Sequence, residues 1–380
     1  MPAARPHIAA LRAYVPGEQP SPAETAAGAV VKLNTNENAY PPSPRVLDAV
    51  RGVGTEALRM YPVPDSAGFR AAAGRRHGLD PSRVIATNGG DELLRLLVTV
   101  FCDAAPAAAG AAPGGGLGVT DPSYSLYGVL AEIHGAAVTT VRRPDADDGG
   151  FALPPDLAER WNRAGCRLGF LVNPHAPSGR REGVDTLRQL ADAFDGLLVI
   201  DEAYADFCPP DAAGGVDLVR EGRDDVLVLR SLSKGYALAG LRFGYGLAAA
   251  EVIAVLDKAR DSYNLDVVAQ AAAAAAMHDT AYSAAGWART RSERGRLTAA
   301  LRERGYRVPD SHSNFVLATV PGPDAATRAE RAAGTYAHLK ERGVLVRYFR
   351  TPRLADRLRI TVGTAAQNDR LLTTLDTAKR

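Results

Sequence analysis

From about residue 83 onward, short and almost continuously apolar segments alternate with segments that have the spacing of amphipathic helices. Three of the apolar segments read RLGFLVNP (167–174), LLVID (197–201) and DVLVLRS (225–231). A strand that is apolar at nearly every position is buried on both faces, which is typical of a parallel sheet covered by its crossover helices. The pattern therefore predicts an α/β fold with a mostly parallel sheet between two layers of helices.

The pattern changes toward the C-terminus. An Arg- and Glu-rich helical segment precedes the strand-like SNFVLATV, a further helix, and the strand-like VLVRYF and LRITVGT. We interpret this part as a smaller α+β domain, and at about 150 residues per domain the length allows two domains. We predict an N-terminal arm over residues 1–45 that packs with the small domain or a partner subunit, a large domain over 46–275, and a small domain over 276–380. AAPAAAGAAPGGG (104–116) is predicted to be a loop.

Composition excludes several classes of protein. With a formal net charge of +2 there is no electrostatic case for nucleic acid or an anionic membrane. The three cysteines Cys102, Cys166 and Cys208 lie far apart, which favours buried, reduced thiols. The seven histidines show no metal-binding spacing such as HxxxH. Since the chain also has no signal-like segment and no apolar run of about 20 residues, we expect a cytoplasmic protein without a metal.

Polar and turn-forming residues cluster directly after five of the predicted strands. In open α/β sheets, ligands bind in the crevice beyond the carboxyl ends of the strands, so we expect these clusters to meet at one edge. The clusters are Asn88-Gly89-Gly90-Asp91, Asp121-Pro122-Ser123-Tyr124, Asn173-Pro174, Asp201-Glu202 and Ser231-Leu232-Ser233-Lys234.

Two of these clusters indicate the kind of ligand. Gly90 and Asp91 stand at the start of a predicted helix, where free backbone N–H groups suit a phosphate, although an ordinary glycine turn has the same sequence. Asp201 ends a buried strand and needs a cationic partner, which is either an arginine or a protonated heterocyclic nitrogen.

Lys234 lies among serines, glycines and small apolar residues in RSLSKGYALAGLRFGYG (230–246). A desolvated lysine loses its proton readily and reacts with an aldehyde. Ser231, Ser233 and Arg242 supply hydroxyl and guanidinium groups that bind phosphate. A single buried lysine is more often structural, but a phosphate, a cationic ring nitrogen and an aldehyde together describe pyridoxal 5′-phosphate, so we interpret Lys234 as catalytic.

The sequence resembles the fold-type I pyridoxal-phosphate aminotransferases along nearly its whole length. DEAY together with SLSKGYALAGLRFGY is specific for this superfamily, whereas NTNENAYPPSP, YPVPD and LRITVGT favour its histidinol-phosphate branch. The matching segments are KLNTNENAYPPSP, YPVPD, TNGGDELL, DPSYSLY, NPHAPSG, DEAYADF, RSLSKGYALAGLRFGYG, SYNLDVVAQAAA, SNFVLA, GVLVRYF and LRITVGT.

This resemblance implies a seven-stranded sheet and a role for each cofactor-binding residue. It implies that Lys234 bonds covalently to the cofactor and later moves a proton, and that Asp201 keeps the pyridine nitrogen protonated. It further implies that Tyr204 donates to the phenolic oxygen of the ring and that Tyr124 stacks on the ring face. The residues implied to bind the cofactor phosphate are Gly90, Asp91, Ser231, Ser233 and Arg242.

The resemblance also implies a substrate site. Arg359 would bind the anionic end of both substrates with help from Arg347, and Tyr40 and Tyr61 would line the pocket for the substrate phosphate. Tyr61 would reach the site of the neighbouring subunit, which implies a homodimer. Arg347 is alternatively a surface residue of an edge strand, and Tyr61 a packing residue of a proline-rich turn. Arg359 lies in an apolar strand, where a buried guanidinium without a partner is costly.

One segment departs from the family pattern. NPHAPSG has Ala176 where the family usually has an asparagine that bonds the phenolic oxygen of the cofactor. That hydrogen bond, worth about 1 kcal/mol, is absent unless Asn173 or a water replaces it. We expect weaker tuning of the cofactor rather than loss of catalysis. We expect His175 to face solvent, with a substrate contact as the alternative.

The activity implied by the resemblance is transamination in two stages. L-Histidinol phosphate and 2-oxoglutarate would be interconverted with imidazole acetol phosphate and L-glutamate, a step of histidine biosynthesis. The alternatives are an aminotransferase of aromatic amino acids or of a specialised pathway, and an enzyme like threonine-phosphate decarboxylase. A non-catalytic binding domain on the same scaffold would be expected to lack Lys234.

Overall fold

The computed structural model describes residues 3–11, 17–21, 23, 28–104 and 115–378, so most of the predicted loop 104–116 lies outside the described residues. The strands are β1 (Val31–Leu33), β2 (Val84–Thr87), β3 (Gly116–Asp121), β4 (Val138–Arg142), β5 (Cys166–Val172), β6 (Leu197–Asp201), β7 (Val226–Ser231), β8 (Gly244–Leu247), β9 (Phe315–Thr319), β10 (Val344–Tyr348) and β11 (Arg357–Thr361). The described α-helices are α1 (Pro6–Ala10), α2 (Pro44–Arg51), α3 (Thr55–Arg59), α4 (Ala67–His77), α5 (Gly89–Phe101), α6 (Leu126–His134), α7 (Leu157–Arg163), α8 (Val184–Ala193), α9 (Gly215–Arg220), α10 (Ala250–Ala259), α11 (Val267–His278), α12 (Thr280–Glu303), α13 (Ala325–Glu341) and α14 (Ala365–Asp376).

The larger sheet has seven strands in the order β2-β8-β7-β6-β5-β3-β4. Strand β8 runs antiparallel to both of its neighbours, and the other adjacent pairs are parallel. This confirms the predicted mostly parallel seven-stranded sheet. Because β2, β3, β5, β6 and β7 point the same way, the five polar clusters that follow them lie along one edge.

Both faces of this sheet are buried, as the continuous apolar strands require. In β6, Leu198 and Ile200 belong to one hydrophobic cluster, while Leu197 and Val199 belong to another. Successive side chains of a strand point to opposite faces, so the two clusters are the cores on either side of the sheet. Each fully buried side chain of this size contributes about 1.5–3 kcal/mol. The strand ends are therefore held on a rigid, two-sided core.

The smaller sheet has four strands in the order β1-β10-β11-β9. Strand β1 pairs in parallel with β10, and β11 is antiparallel to both β10 and β9. The N-terminal segment thus contributes a strand to the sheet of the C-terminal part. Helix α1 lies elsewhere, beside α6, where Arg5 Nη2 donates to the carbonyl oxygen of Ile133 at 3.3 Å. The limits of the arm and of the two domains stay predictions.

All three cysteines are buried and none forms a disulfide. Burial raises the pKa of Cys102 to about 12 and that of Cys208 to about 11, which disfavours the reactive thiolate. Within the described ranges, every helix is too short or too polar to cross a membrane.

Candidate active site

Lys234 lies in the turn after β7 and is partly buried. Its Nζ donates to the carbonyl oxygen of Thr35 at 3.1 Å. Burial lowers the pKa of Lys234 to about 8, and the positive charges of Arg359 and Arg242 act in the same direction. The lysine is therefore close to the point at which it becomes a neutral nucleophile near physiological pH.

Asp201 ends β6 beside β7 and is buried. Its Oδ2 accepts a hydrogen bond from the Tyr127 hydroxyl at 2.7 Å, and its Oδ1 accepts one from the Ala203 N–H at 3.0 Å. Burial raises the pKa of Asp201 to about 6. No Lys, Arg or His among the described residues forms an ion pair with this carboxylate, so an arginine partner, one of the two sequence-based alternatives, is not found.

The predicted phosphate ligands meet where α5 begins against β8. Gly244 pairs with Ser231 across β7 and β8, and a Cβ on Gly244 would lie 2.5 Å from the nitrogen of Gly90. Only a residue without a side chain lets the helix start come this close to the strand. A Cβ on Gly89, whose φ is +75°, would likewise lie 2.7 Å from Arg242 Nη2. The helix N-terminus, a serine and an arginine therefore form one cradle.

The side chains of this cradle are also linked to one another. Arg242 Nη2 donates to Asp91 Oδ2 at 3.3 Å, and both side chains are about half exposed. The Ser231 hydroxyl accepts from the N–H of Ser233 at 3.1 Å, and both serines are buried. Backbone N–H groups at a helix start, hydroxyls and a guanidinium are the donor set that binds a phosphate.

The two predicted ring-binding tyrosines lie at the same edge. The Tyr204 oxygen accepts from Asn36 Nδ2 at 3.0 Å, and its ring packs edge-on against Phe315 at a centroid distance of 5.0 Å. Tyr124 donates to Asp91 Oδ1 at 3.4 Å and packs edge-on against Tyr127. Tyr124 is thus next to the cradle.

Asn173 holds a loop. Its Oδ1 accepts from the N–H of Glu182 at 2.8 Å and its Nδ2 donates to the carbonyl oxygen of Glu182 at 3.1 Å. These two bonds close the loop that carries Ala176, which is buried. Because its amide is engaged on both sides, Asn173 is poorly placed to replace the donor that Ala176 lacks. Its role as a cofactor ligand stays a prediction.

The expectation that His175 faces solvent is wrong, because the side chain is fully buried. Its Nε2 lies 2.8 Å from the carbonyl oxygen of Pro122 and its Nδ1 lies 2.7 Å from the Ser178 hydroxyl. A carbonyl oxygen only accepts, so Nε2 carries the proton and Nδ1 accepts from Ser178. Burial lowers the pKa of His175 well below its usual value. A neutral His175 ties two neighbouring strand-end loops together.

Arg347 and Arg359 lie directly opposite each other on β10 and β11. Residues paired in this way point to the same face, where like charges destabilise a sheet unless an anion balances them. Both guanidinium carbons lie near the ring of Phe349, at 5.4 Å for Arg347 and 5.6 Å for Arg359. Arg359 also donates to the carbonyl oxygen of Asn34 at 3.0 Å. Its charge lowers the pKa of Lys234, which places the arginine near the lysine.

Tyr40 lies near Lys234 and Tyr61 does not. Asn38 Nδ2 donates to the carbonyl oxygen of Lys234 at 2.9 Å, and Asn38 Oδ1 accepts from the N–H of Tyr40. The guanidinium of Arg289, which the sequence did not single out, lies over the Tyr40 ring at 5.0 Å. Tyr61 is 81% exposed and stacks on Tyr263. Within one subunit, the described residues do not bring Tyr61 to the site, and its role stays a prediction.

Residues 34–38, which we call the strap, had no role predicted from the sequence. Every residue but Glu37 bonds directly to a predicted site residue: the carbonyls of Asn34 and Thr35 accept from Arg359 and Lys234, Asn36 donates to Tyr204, and Asn38 donates to the carbonyl of Lys234. Glu37 acts through charge, since it opposes the lowering of the pKa of Lys234. The run of polar residues directly after the apolar VVKL was the available signal.

The chain is similar to known proteins along nearly its whole length. The family model described as aminotransferase class I and II matches residues 29–375. Histidinol-phosphate aminotransferase of Geotalea uraniireducens is 41% identical over 374 residues, which are 98% of each chain. That of Syntrophotalea carbinolica is 42% identical over 371 residues, again 98% of each chain. The solved structure of histidinol-phosphate aminotransferase from Sinorhizobium meliloti in complex with pyridoxal-5′-phosphate is 26% identical, has a TM-score of 0.81, and matches 97% of this chain and 95% of its own.

Proposed function

The chain belongs to the class I and II aminotransferases, and on this basis we propose that it is a histidinol-phosphate transaminase with pyridoxal 5′-phosphate as its cofactor. L-Histidinol phosphate and 2-oxoglutarate are its substrates in one direction, and imidazole acetol phosphate and L-glutamate in the other. The observation that carries the proposal is the meeting of Lys234, Asp201 and the glycine-lined cradle at one edge of the sheet.

The described residues fit this cofactor at three points. The cradle of Gly90, Ser231 and Arg242 suits its phosphate, and the missing side chain at Gly244 lets the helix start lie against the strand that pairs with Ser231. The buried Asp201, which has no cationic side chain beside it, matches a protonated ring nitrogen. Lys234, with its pKa lowered to about 8, matches the aldehyde. When bound, the cofactor supplies a carbonyl that takes up the amino group and a ring that withdraws electrons.

Lys234 is the group that moves protons at the substrate. In its neutral form, Nζ takes the proton from the substrate carbon that bears the amino group, and in its protonated form it returns the proton to that carbon. The bond from Nζ to the Thr35 carbonyl holds the amine at the edge of the site when it is not otherwise engaged. A pKa of about 8 keeps both forms accessible near neutral pH.

Asp201 and Tyr204 set the charge on the ring. Hydrogen bonds from Tyr127 and Ala203 stabilise the carboxylate form of Asp201 against the effect of burial. With the cofactor bound, the carboxylate would hold the proton on the ring nitrogen, and Tyr204 would donate to the phenolic oxygen. Tyr124, beside Asp91, covers one face of the ring.

The opposed arginines form the site for the anionic end of either substrate. An anion between Arg347 and Arg359 removes the repulsion between two like charges on neighbouring strands. The same pair therefore serves the carboxylate of glutamate and the phosphate of histidinol phosphate. Tyr40 lines the phosphate pocket, and Arg289 over its ring adds a further positive charge.

The site is completed by a second copy of the chain in a homodimer. Tyr61 and three apolar residues near it in the sequence are each more than half exposed, which is unusual for a surface that faces only water. We assign this segment to the two-fold interface, and the family resemblance implies that Tyr61 then reaches the substrate site of the partner subunit. The four residues are Leu58, Met60, Tyr61 and Val63.

A panel of amino donors tests the proposal. We expect histidinol phosphate to give a kcat/KM at least about 100-fold above those of phenylalanine, tyrosine and threonine phosphate, because only it offers both the phosphate and the imidazole. An aromatic amino acid that reacts as fast would assign the enzyme to another aminotransferase. Release of carbon dioxide from threonine phosphate would make it a decarboxylase.

A further inference from the structure

Asn36 connects the strand that carries Arg359 to the phenol of Tyr204. It is buried, has a φ of +57°, and lies in the strap between β1 and α2. On one side it bonds to Thr361 at the end of β11, two residues beyond Arg359. On the other side it bonds to Tyr204.

The hydrogen bonds of this chain run from the backbone of Asn36 through Thr361 to the side-chain amide of Asn36 and on to Tyr204. The backbone N–H of Asn36 can only donate, and it donates to Thr361 Oγ1 at 3.0 Å. The hydroxyl of Thr361 donates in turn to Asn36 Oδ1, 3.2 Å away. With Oδ1 fixed as the acceptor, Nδ2 faces Tyr204 and donates to its oxygen at 3.0 Å.

The surroundings hold Asn36 in this position. Asn314 Nδ2 donates to the carbonyl oxygen of Asn36 at 2.9 Å, and both asparagines are buried. Thr361 is itself paired with Phe315 across β11 and β9. Asparagine tolerates a positive φ better than most residues, so the backbone favours this residue as well.

We propose that Asn36 is a positioning residue that fixes the polarity of Tyr204. Because the phenol oxygen accepts on the side of Asn36, the phenol proton is directed away from Asn36, to the side where the phenolic oxygen of the cofactor would lie. The inference rests on the proposed function, since it requires that ring at Tyr204. The hydrogen bond from Tyr204 matters more in this chain because Ala176, which stands where the family usually has an asparagine, cannot donate a second hydrogen bond to the same oxygen.

The decisive variant is Asn36→Asp, which keeps the size of the side chain and tolerates the positive φ. Both oxygens of the new carboxylate accept, so Tyr204 is forced to donate to residue 36 instead of to the cofactor. Tyr204→Phe, which removes the phenol altogether, is the reference. Asn34→Asp is the matched control, since it makes the same charge change where the side chain bonds to the Glu18 carbonyl.

The first readout uses the protein without cofactor and does not depend on activity. The pKa of Tyr204 is followed by NMR with tyrosine labelled with ¹³C at Cζ, and the signal is identified by its loss in Tyr204→Phe. A neighbouring carboxylate disfavours the phenolate, so we expect Asn36→Asp to raise this pKa by about one unit or more. A smaller rise is expected in Asn34→Asp. Equal pKa values in Asn36→Asp and the natural protein would overturn the proposal.

The second readout is the pH titration of the visible absorption of the bound cofactor. A hydrogen bond donated by Tyr204 to the phenolic oxygen of the cofactor makes that oxygen a weaker acceptor for the proton that titrates beside it. Both Asn36→Asp and Tyr204→Phe remove this hydrogen bond, so we expect the midpoint of the titration to rise in both variants. The double variant should titrate no higher than Tyr204→Phe alone. Fully additive shifts, or an Asn36→Asp midpoint like that of the natural protein, would contradict the positioning role.

A third variant covers the case in which Asn36→Asp does not fold. Thr361→Val removes the hydroxyl that orients the amide of Asn36, and we expect a smaller midpoint shift in the same direction. An unchanged midpoint in Thr361→Val would overturn the proposal. If the natural protein shows no cofactor absorption at all, the proposed function fails instead, so the two failures are distinguishable.

Discussion

Asp201 and Glu202 are adjacent carboxylates at the end of the same strand, and they lie in very different surroundings. Both are buried, with 6% and 4% of the residue exposed. Glu202 is paired with Arg230 at 3.0 Å, and Arg230 also binds the buried Asp206. Among the described residues, Asp201 has neutral donors only, the Tyr127 hydroxyl and the Ala203 N–H.

The difference separates a charge that is balanced within the fold from a charge that is a candidate for ligand binding. Burial raises the pKa of both carboxyl groups, but only at Glu202 does an arginine of the same chain counteract it. A pair balanced within the chain contributes to the fold, whereas a buried carboxylate without a cation needs a ligand to balance it. The extent of burial does not distinguish Asp201 from Glu202, whereas the presence of Arg230 beside Glu202 does.

The largest effect is expected at Lys234, at the edge of the sheet where the proposed cofactor would bind. Lys234→Ala removes the group that moves the proton, so we expect kcat to fall by at least about 10⁴-fold. Single-turnover kinetics measure this, and thermal unfolding should show that the fold is kept. Residual activity within tenfold of the natural enzyme would place the catalytic base elsewhere.

On the opposite side of the sheet the expected effect is on stability. Arg230→Met leaves Glu202 and Asp206 buried without their cation, so we expect the free energy of unfolding to fall by about 3–5 kcal/mol. Urea unfolding of the cofactor-free protein measures it. Asp201→Asn is the matched variant and should lower stability by less than about 1 kcal/mol, because no ion pair is lost. Equal losses of unfolding free energy in Arg230→Met and Asp201→Asn would contradict the difference between the two carboxylates.

In activity, unlike in stability, we expect the change at Asp201 to have a larger effect than the change at Glu202. Asp201→Asn removes the charge that holds the proton on the ring nitrogen, and we expect kcat to fall by about 100-fold or more. Glu202→Gln keeps its hydrogen-bonding shape on the other face and should change kcat by much less. Steady-state kinetics on folded protein compare them, and a larger loss in Glu202→Gln would contradict the assignment.

A smaller effect is expected at the substrate arginines. Arg359→Ala removes a charged hydrogen-bond donor worth about 1.5–3 kcal/mol, which corresponds to a rise in KM of roughly 10- to 150-fold. The rise should affect glutamate and histidinol phosphate together, because both use the same anion site. Arg347→Ala should act in the same direction and less strongly. An effect on only one of the two substrates would show that they bind at different places.

The smallest effect is a shift in pH dependence. Only the neutral amine reacts, so the rate at which cofactor-free protein captures pyridoxal phosphate should rise with pH, with a midpoint at about 8. Arg359→Ala removes a positive charge that lowers the pKa of Lys234, so the midpoint should move to higher pH. Stopped-flow absorbance measures both midpoints. A midpoint near that of an ordinary lysine would contradict the burial of Lys234.

The meeting of the strand-end clusters at one edge was predictable from sequence because its signals are local. Each strand end carries its polar residues within a few positions of an apolar run, and parallel strands bring their ends to one edge. Lys234, Asp201 and the glycine-lined cradle lie where that reasoning places them. The direction of β8 was not predicted, because reversing one strand leaves its apolar pattern unchanged.

The strap and the loop around His175 were not predictable in the same way. The pairing of β1 with β10 joins distant parts of the chain, and only that pairing brings Asn34 to Arg359 and Asn36 to Tyr204. From its sequence neighbours, His175 is expected to be an exposed loop residue. In the structure its Nε2 donates to the carbonyl oxygen of Pro122, which follows a different strand. When a polar residue is buried because its partner lies far away in the sequence, the residues next to it in the sequence do not indicate that partner.

Reduction of the cofactor-bound protein with borohydride, followed by peptide mapping, tests the central claim most directly. Lys32 is the internal comparison, since it too is largely buried in this region but is engaged by Thr35 and Glu37. We expect the added mass of the reduced cofactor on the peptide that contains Lys234 and not on the peptide that contains Lys32. Label on Lys32, or bound cofactor that leaves Lys234 unmodified, would contradict it.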